Sequence, residues 1–304
     1  MKIFNFNEGI ESYLKYLRLK DYAKKTISKR KHFLKTFYDW CSKRNILEFS
    51  NVTKETIEKY HKTILGLKKK DGSCQGFDNQ RRYLSCVHDF FSFLAEKNQI
   101  LINPTEKVNL PIVPASLPSE ILSQIEIKRI LRNTEPKTNK LLRDRAILEL
   151  LYATAVRKAE LMNLDIADID FDKQRLLVRC GKGKKDRMLP LTKRSINWLN
   201  KYLVIRNNLE NINALFLSTL DNRISPTGLS NIIKRAVART NIKKKISCHS
   251  FRHSLATHLL DNGCDIRHIQ ELLGHSSLFA TQIYTRVSVV RLKEVHKKTH
   301  PFSK

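Results

Sequence analysis

The stretch NPTEKVNLPIVPASLP, from Asn103 to Pro118, holds four of the chain's eight prolines: Pro104, Pro111, Pro114 and Pro118. Proline lacks the amide donor that helices and sheets need, and it biases the residue before it toward extended backbone. No helix is expected to run through this stretch. It therefore divides 304 residues into two pieces, each within the usual size of a domain. The expected division is a first domain over residues 1–108, a linker over 109–118 and a second domain over 119–304.

Both pieces read as mainly helical. IESYLKYLRLK places Ile10, Tyr13, Leu14 and Leu17 at helical spacing, and RRYLSCVHDFFSFLAEKNQ does the same with Tyr83, Leu84, Val87, Phe90, Phe91 and Leu94. Between them LGLKKKDGSCQGFDNQ, with Gly66, Gly72, Gly76 and three consecutive lysines, reads as an exposed loop. Beyond the prolines, LSQIEIKRILRN and RDRAILELLYATAVRKAELMNL are strongly helical. The second is apolar on several faces, as a central buried helix would be. RLLVRC and RMLPL around the turn GKGKKD form a small hairpin, and helices resume at SINWLNKYLVIRNNLE and PTGLSNIIKRAVARTNI, the latter capped by Ser225 or Thr227.

Lys and Arg number 57 against 29 acidic residues, a formal charge of +28. The excess is spread along the chain, 22 basic against 12 acidic residues up to position 110 and 35 against 17 after it. Both halves are therefore expected to face a polyanion. Nucleic acid fits, because every phosphate neutralised releases counterions before any base is read. The six cysteines stand apart without a CxxC pair, which argues for reduced thiols rather than a zinc ribbon. No apolar run approaches the roughly 18 residues that suggest a membrane span, and MKIFNFNEGIESYLKYL has acidic residues where a secretory leader is apolar. The expected setting is cytoplasmic and nucleoid-associated.

From Ser247 to Val287, SCHSFRHSLATHLLDNGCDIRHIQELLGHSSLFATQIYTRV crowds five histidines, three arginines and one tyrosine onto amphipathic helices. Three readings compete: a metal site, a solvated basic face, and a centre that works on a phosphodiester. His249 and His253 share a helix face, but an HExxH zinc motif needs Glu where Ser250 stands. Phosphoryl transfer without metal needs cationic forks for the non-bridging oxygens, a nucleophile such as tyrosine, and an acid for the leaving oxygen. His253, His258 and His268 are expected to be satisfied core histidines.

Four boxes in order carry a family resemblance. LLYATAVRKAEL, GKGKKDRMLPL, HSFRHSLATHLL and LLGHSSLFATQIYTRV resemble those of the tyrosine recombinase (phage integrase) family, nearest to its Xer type, and NPTEKVNLP and LKEVHKKTHP extend the likeness over roughly the whole chain. The resemblance implies a helical N-terminal core-binding, SAM-like DNA domain and a mostly helical catalytic domain with a small β-sheet. It implies six catalytic residues: Arg157, Lys182, His249, Arg252, His275 and the nucleophile Tyr284. Glu160 and Leu161 stand behind the first arginine. One departure is Ala155, where the family commonly has Gly after the Thr. The added methyl is expected to alter packing ahead of Arg157 without removing a catalytic group.

The same resemblance implies strand exchange through a 3′ phosphotyrosyl link and a Holliday junction, with neither metal nor cofactor. The partners implied are a double-stranded DNA recombination site, a homotetramer on two sites or a heterotetramer with a second recombinase, and a cell-division DNA translocase as activator, with no membrane. Val289, Leu292 and Val295 form an apolar stripe expected to dock on a neighbouring protomer. Chromosome or plasmid dimer resolution is the expected role. A mobile-element integrase or transposon resolvase, a type IB topoisomerase-like enzyme and a noncatalytic DNA-binding protein are the rivals.

Overall fold

The computed structural model describes residues 5–67, 72, 76–111, 121–179, 186–206 and 212–274. The chain forms two compact units, Met1–Ala115 and Ser116–Lys304.

In the first unit, helices α1 (Phe6–Leu19), α2 (Lys24–Ser42), α3 (Lys54–Leu65) and α4 (Phe77–Glu96) enclose one aromatic core. Helix α1 starts where Asn5 and Glu8 exchange capping bonds, satisfying amides the first turn leaves open. It buries Ile10, Tyr13, Leu14 and Leu17, and α4 buries all six of its periodic apolar residues, Tyr83 to Leu94. Phe37 of α2 sits edge-on to Tyr60 at 4.7 Å and to Phe91 at 6.0 Å, so one ring ties α2 to both α3 and α4. Each fully buried ring of this kind contributes about 1.5–3 kcal/mol. Most of the lysine- and glycine-containing loop before α4 lies outside the described residues.

The second unit is built around α6 (Asn139–Thr154). Its residues from Arg143 to Leu151 are buried without interruption, as expected of a central helix. Packed on it or near it are α5 (Gln124–Arg132), α7 (Lys158–Asn163), α8 (Lys193–Ile205), α9 (Pro226–Ala238), α10 (Cys248–Asp261) and α11 (Ile266–Leu273). The charges on α6 are matched: Glu149 accepts from Arg145 at 2.8 Å and from Arg194 at 2.9 Å, and Asp144 accepts from Arg143 at 2.8 Å and from Arg235 at 2.9 Å. A buried charge is tolerated only when so paired. Ser225 caps α9, accepting the Gly228 amide at 3.0 Å.

The hairpin is present as β2 (Arg175–Val178) and β3 (Arg187–Pro190), antiparallel, with Leu176 opposite Leu189 and Val178 opposite Arg187. A two-residue strand that the sequence did not suggest, β1 (Ile169–Asp170), adds a third member in the order β1-β2-β3. The sequence also suggested one helical run from Arg143 to Leu164, whereas the structure breaks it into α6 and α7 at Ala155–Arg157. Cys41, Cys86, Cys248 and Cys264 are unbridged. No helix among the described residues is long and apolar enough to cross a membrane.

Where α3 meets α4, His61 and His88 face each other with Nε2 atoms 3.3 Å apart. Burial, and then the neighbouring ring, push His61 down to about 4. Burial also lowers His88. A histidine kept neutral in the fold but free to protonate when unfolded loses stability as pH falls below its unfolded pKa of about 6.5. The first unit is therefore expected to keep the full contribution of His61 above about pH 6.5 and to lose on the order of 3 kcal/mol of it toward pH 4. Denaturant titrations followed by Trp40 fluorescence in a Trp198→Phe background measure this, and His61→Gln is expected to flatten the slope.

Candidate active site

Helix α6 ends because Ala155 turns left-handed, at φ 52° and ψ 27°. A Cβ in that region costs about 1–2 kcal/mol, which is why Gly is the usual occupant of such a position. Ala155 is fully buried against Ala256, Leu260, Ile269 and Leu273, so its methyl recovers part of that cost through packing. The turn aims the Ala155 carbonyl at α10, where it accepts from Arg252 Nη1 at 2.7 Å. Two residues later the chain enters α7 with Arg157 as its N-cap.

Glu160 then organises three groups at once. Its Oε2 accepts the Arg157 amide at 2.8 Å and Arg187 Nη2 at 2.7 Å, while Oε1 accepts Arg157 Nη1 at 2.8 Å and Arg187 Nη1 at 3.0 Å. Burial alone would raise the Glu160 carboxyl, but hydrogen bonds from Arg187 and from the Arg157 amide and guanidinium outweigh it and hold it at about 2. The carboxylate stays charged at any working pH. Arg157 keeps one fork arm for the end of α11, donating Nη2 to the Gly274 carbonyl at 2.8 Å.

Arg252 is 3% exposed, and its Nη2 donates to the Leu273 carbonyl. Leu273 and Gly274 are consecutive, so the two guanidinium groups converge on one turn. Ala155 lies at the C-terminal end of α6, and Leu273 with Gly274 at that of α11. Such ends carry unsatisfied carbonyls and a partial negative charge, which suits a buried cation. Gly274 has φ +61°, and a Cβ there would lie 3.0 Å from Arg187 Cδ and Nε. Backbone conformation and close approach both require glycine.

His249 is exposed in the first turn of α10, three residues before Arg252. Burial of its surroundings, and then Arg252, Arg157 and Lys158, lower its pKa, so the imidazole is neutral near pH 7. Lys158 itself is tied to Ser230 Oγ on α9 at 2.7 Å. A neutral ring beside fixed guanidinium groups can accept a proton from a phenol and, once protonated, return it to an oxygen, while the cations bind phosphate oxygens.

Of the six residues singled out in the sequence, Arg157, His249 and Arg252 come together. Lys182, His275 and Tyr284 lie outside the described residues, as do Val289, Leu292 and Val295. His258 is buried and bonds the Tyr152 hydroxyl through Nδ1 at 2.9 Å, and His253 is half-buried. His268 is exposed, contrary to the expectation of a core position, because α11 turns Ile269 and Leu273 inward and His268 falls outside that stripe. The residue missed was Arg187. Its signal is the alternation of β3, which places it two residues before buried Leu189 and on the same face.

Comparison with known proteins agrees with this geometry. The sequence matches the phage integrase family over residues 120–291. It is 36% identical over 295 residues to tyrosine recombinase XerC 2 of Ralstonia nicotianae, covering 96% of this chain and 85% of that one. It is 32% identical over 300 residues to tyrosine recombinase XerD of Staphylococcus haemolyticus, covering 96% and 98%. The crystal structure of XerA recombinase is similar at a TM-score of 0.55 and 28% identity, over 97% of this chain and 99% of that one. XerH site-specific recombinase bound to difH shares the fold at a TM-score of 0.68 and 22% identity, over 89% and 78%. The enzyme is a site-specific tyrosine recombinase, and the chain belongs to the phage integrase family.

Two backbone positions test the site's construction. Gly274→Ala is expected to destabilise the second unit by about 1–3 kcal/mol, through the left-handed φ and displacement of Arg187. Ala155→Gly is expected to change stability by less than about 1 kcal/mol, since relief of φ offsets the lost methyl. Denaturant titration read by Trp198 fluorescence in a Trp40→Phe background measures both.

Proposed function

We propose that this enzyme exchanges DNA strands at a specific duplex site by a metal-free phosphotyrosyl mechanism. Tyr284 attacks the scissile phosphate, forming a 3′ phosphotyrosyl bond and breaking the bond to the 5′ oxygen. Arg157, Arg252 and His275 hold the non-bridging oxygens, Lys182 gives its proton to the departing 5′ oxygen, and His249 assists loss of the phenol proton. The reverse attack by a 5′ hydroxyl from the partner duplex restores the phosphodiester, so bond energy is retained and no cofactor is consumed.

One observation carries this reading: the Arg157 and Arg252 guanidinium groups are held by consecutive carbonyls, Gly274 and Leu273. The next residue in the chain is His275, and Tyr284 comes nine positions later. The basic charge of the first unit supports a second DNA contact. A cleft of about 520 Å³ between α2 and α4 is lined by Lys29, Arg30, Arg81 and Arg82. Phosphate contacts from such a face position the duplex without reading its sequence.

The likeness to proteins named XerC and XerD over 96% of the chain supports an Xer-type role, the resolution of chromosome or plasmid dimers by a tetramer on two sites. A cell-division DNA translocase is the activator such a role calls for, and the cytoplasm is the setting. Suicide DNA containing the site is expected to trap a covalent adduct in the presence of a metal chelator. Tyr284→Phe is expected to form none, and Arg157→Lys to slow trapping on the order of 10²-fold, because a lysine cannot divide its donors between Glu160 and the phosphate. No wild-type adduct would overturn the mechanism, and an adduct with the phenylalanine variant would overturn the nucleophile. Relaxation of a supercoiled plasmid that lacks the site would point instead to a topoisomerase.

A further inference from the structure

Three arginines, not two, meet the end of α11. Arg187 Nε donates to the Leu272 carbonyl at 3.4 Å, Arg252 Nη2 to the Leu273 carbonyl, and Arg157 Nη2 to the Gly274 carbonyl at 2.8 Å. Three consecutive carbonyls thus each hold one guanidinium. Arg187 comes from β3, Arg157 from the start of α7 and Arg252 from α10, so the turn gathers cations from three separate elements.

Arg187 differs from Arg157 in where its fork goes. Both of its terminal nitrogens run to Glu160, Nη1 to Oε1 at 3.0 Å and Nη2 to Oε2 at 2.7 Å, whereas Arg157 sends Nη1 to Glu160 and Nη2 to Gly274. A carboxylate offers about four lone-pair positions. The bonds to Glu160 fill them: the Arg157 amide and Nη1 take two, and Arg187 takes the others. While Arg187 holds its share, the Arg157 guanidinium has one position left on Glu160 and its second arm stays on the α11 turn.

Charge divides in the same way. Arg157 and Arg187 outweigh Glu160 by one unit, so the cluster is a net cation beside Arg252. Without Arg187 that surplus is gone. An arginine left alone with a carboxylate closes into a two-bond fork, which would draw the Arg157 guanidinium toward Glu160 and neutralise it.

We propose that Arg187 is a positioning residue for strand cleavage. By occupying Glu160 it keeps the Arg157 guanidinium singly bound, cationic and aimed at the scissile phosphate. This role rests on the reading above, in which Arg157 holds a non-bridging oxygen.

The test measures single-turnover cleavage of suicide DNA by the full chain at saturating protein, with duplex affinity determined separately. Arg187→Gln is expected to slow cleavage on the order of 10–100-fold while affinity stays near wild type, the pattern of a group misplaced in the chemical step. Arg187→Lys keeps the charge but not the fork, and is expected to lose less. Adding Glu160→Gln to Arg187→Gln removes the carboxylate that captures Arg157, and is expected to restore several-fold of the lost rate. A double variant no faster than Arg187→Gln would overturn the proposal, because an arginine that only stabilises the fold, or that binds the phosphate itself, gains nothing from loss of Glu160. An Arg187→Gln rate equal to wild type would do the same.

A duplex with sulfur at the 5′ bridging position separates Arg157 from the lysine of the hairpin turn, since a thiolate departs without an acid. Arg187→Gln is expected to stay slow on it. Recovery to the wild-type rate would assign the effect to Lys182 and sink the route through Arg157. Thermal unfolding checks each variant, and Arg187→Lys takes the place of Arg187→Gln in every comparison if the latter does not fold. A wild type that forms no adduct fails the strand-exchange mechanism itself, whereas a wild type that cleaves beside an unaffected Arg187→Gln fails this inference alone.

Discussion

The second unit depends on holding two guanidinium groups still, one of them, that of Arg252, in a place that water barely reaches. Arg252, almost fully buried, is held by the Ala155 carbonyl and the Leu273 carbonyl, which belong to the ends of two different helices. Each helix must stop at the right residue for its last carbonyls to be unspent. Two left-handed residues, Ala155 and Gly274, set those stops. Arg157 is fixed from the other side by Glu160 and shares the same α11 turn. The position of the cationic pair is therefore a property of helix termination, not of arginine rotamers alone, and this rigidity is what a site must have if its donors are to meet charge that develops on a phosphate.

Glu160 belongs to a pattern that recurs in this unit. Asp144 is held by Arg143 and Arg235, Glu149 by Arg145 and Arg194, and Glu160 by Arg157 and Arg187. In each case one carboxylate joins two guanidinium groups from separate elements and leaves one unit of positive charge over. Two of these clusters fasten α6 to α8 and α9. The third has the same construction, but one of its arginines lies beside His249 and the end of α11. Chemistry and architecture use the same device here, and only location separates them.

That equivalence explains what could be read from the residues and what could not. The apolar spacing of α1 and α4 made their buried faces legible, because a half-exposed helix must alternate at its own period. Apolar residues on several faces likewise marked α6 as central. The break after Thr154 was not legible, since Ala is a good helix former and nothing local signals that it adopts φ 52°. A strand of two residues, β1, is too short to show alternation. Within the site, composition alone cannot tell Arg157 from Arg145, because each is a helix arginine with a carboxylate three or four residues on. Their separation rested on the four family boxes taken together. Arg187 escaped because its box drew attention to the lysines of the turn, although it occupies the inward face of β3.

Surplus positive charge must be tolerated before it can be used. In the second unit the internal arginines are spread among carboxylates and helix C-termini, so that no buried cation depends on a single partner. Removing one acceptor would leave two adjacent cations facing each other at low dielectric, a larger penalty than losing a surface ion pair. The arrangement resists small errors in any one bond but couples the clusters to the helix that links them. Helix α6 carries Asp144 and Glu149 along its length and the Ala155 stop at its end. A shift of α6 along its axis would strain both structural clusters together with the bond from Arg252 to the Ala155 carbonyl. The ion-paired interior thus acts as a fixed frame for the cationic pair.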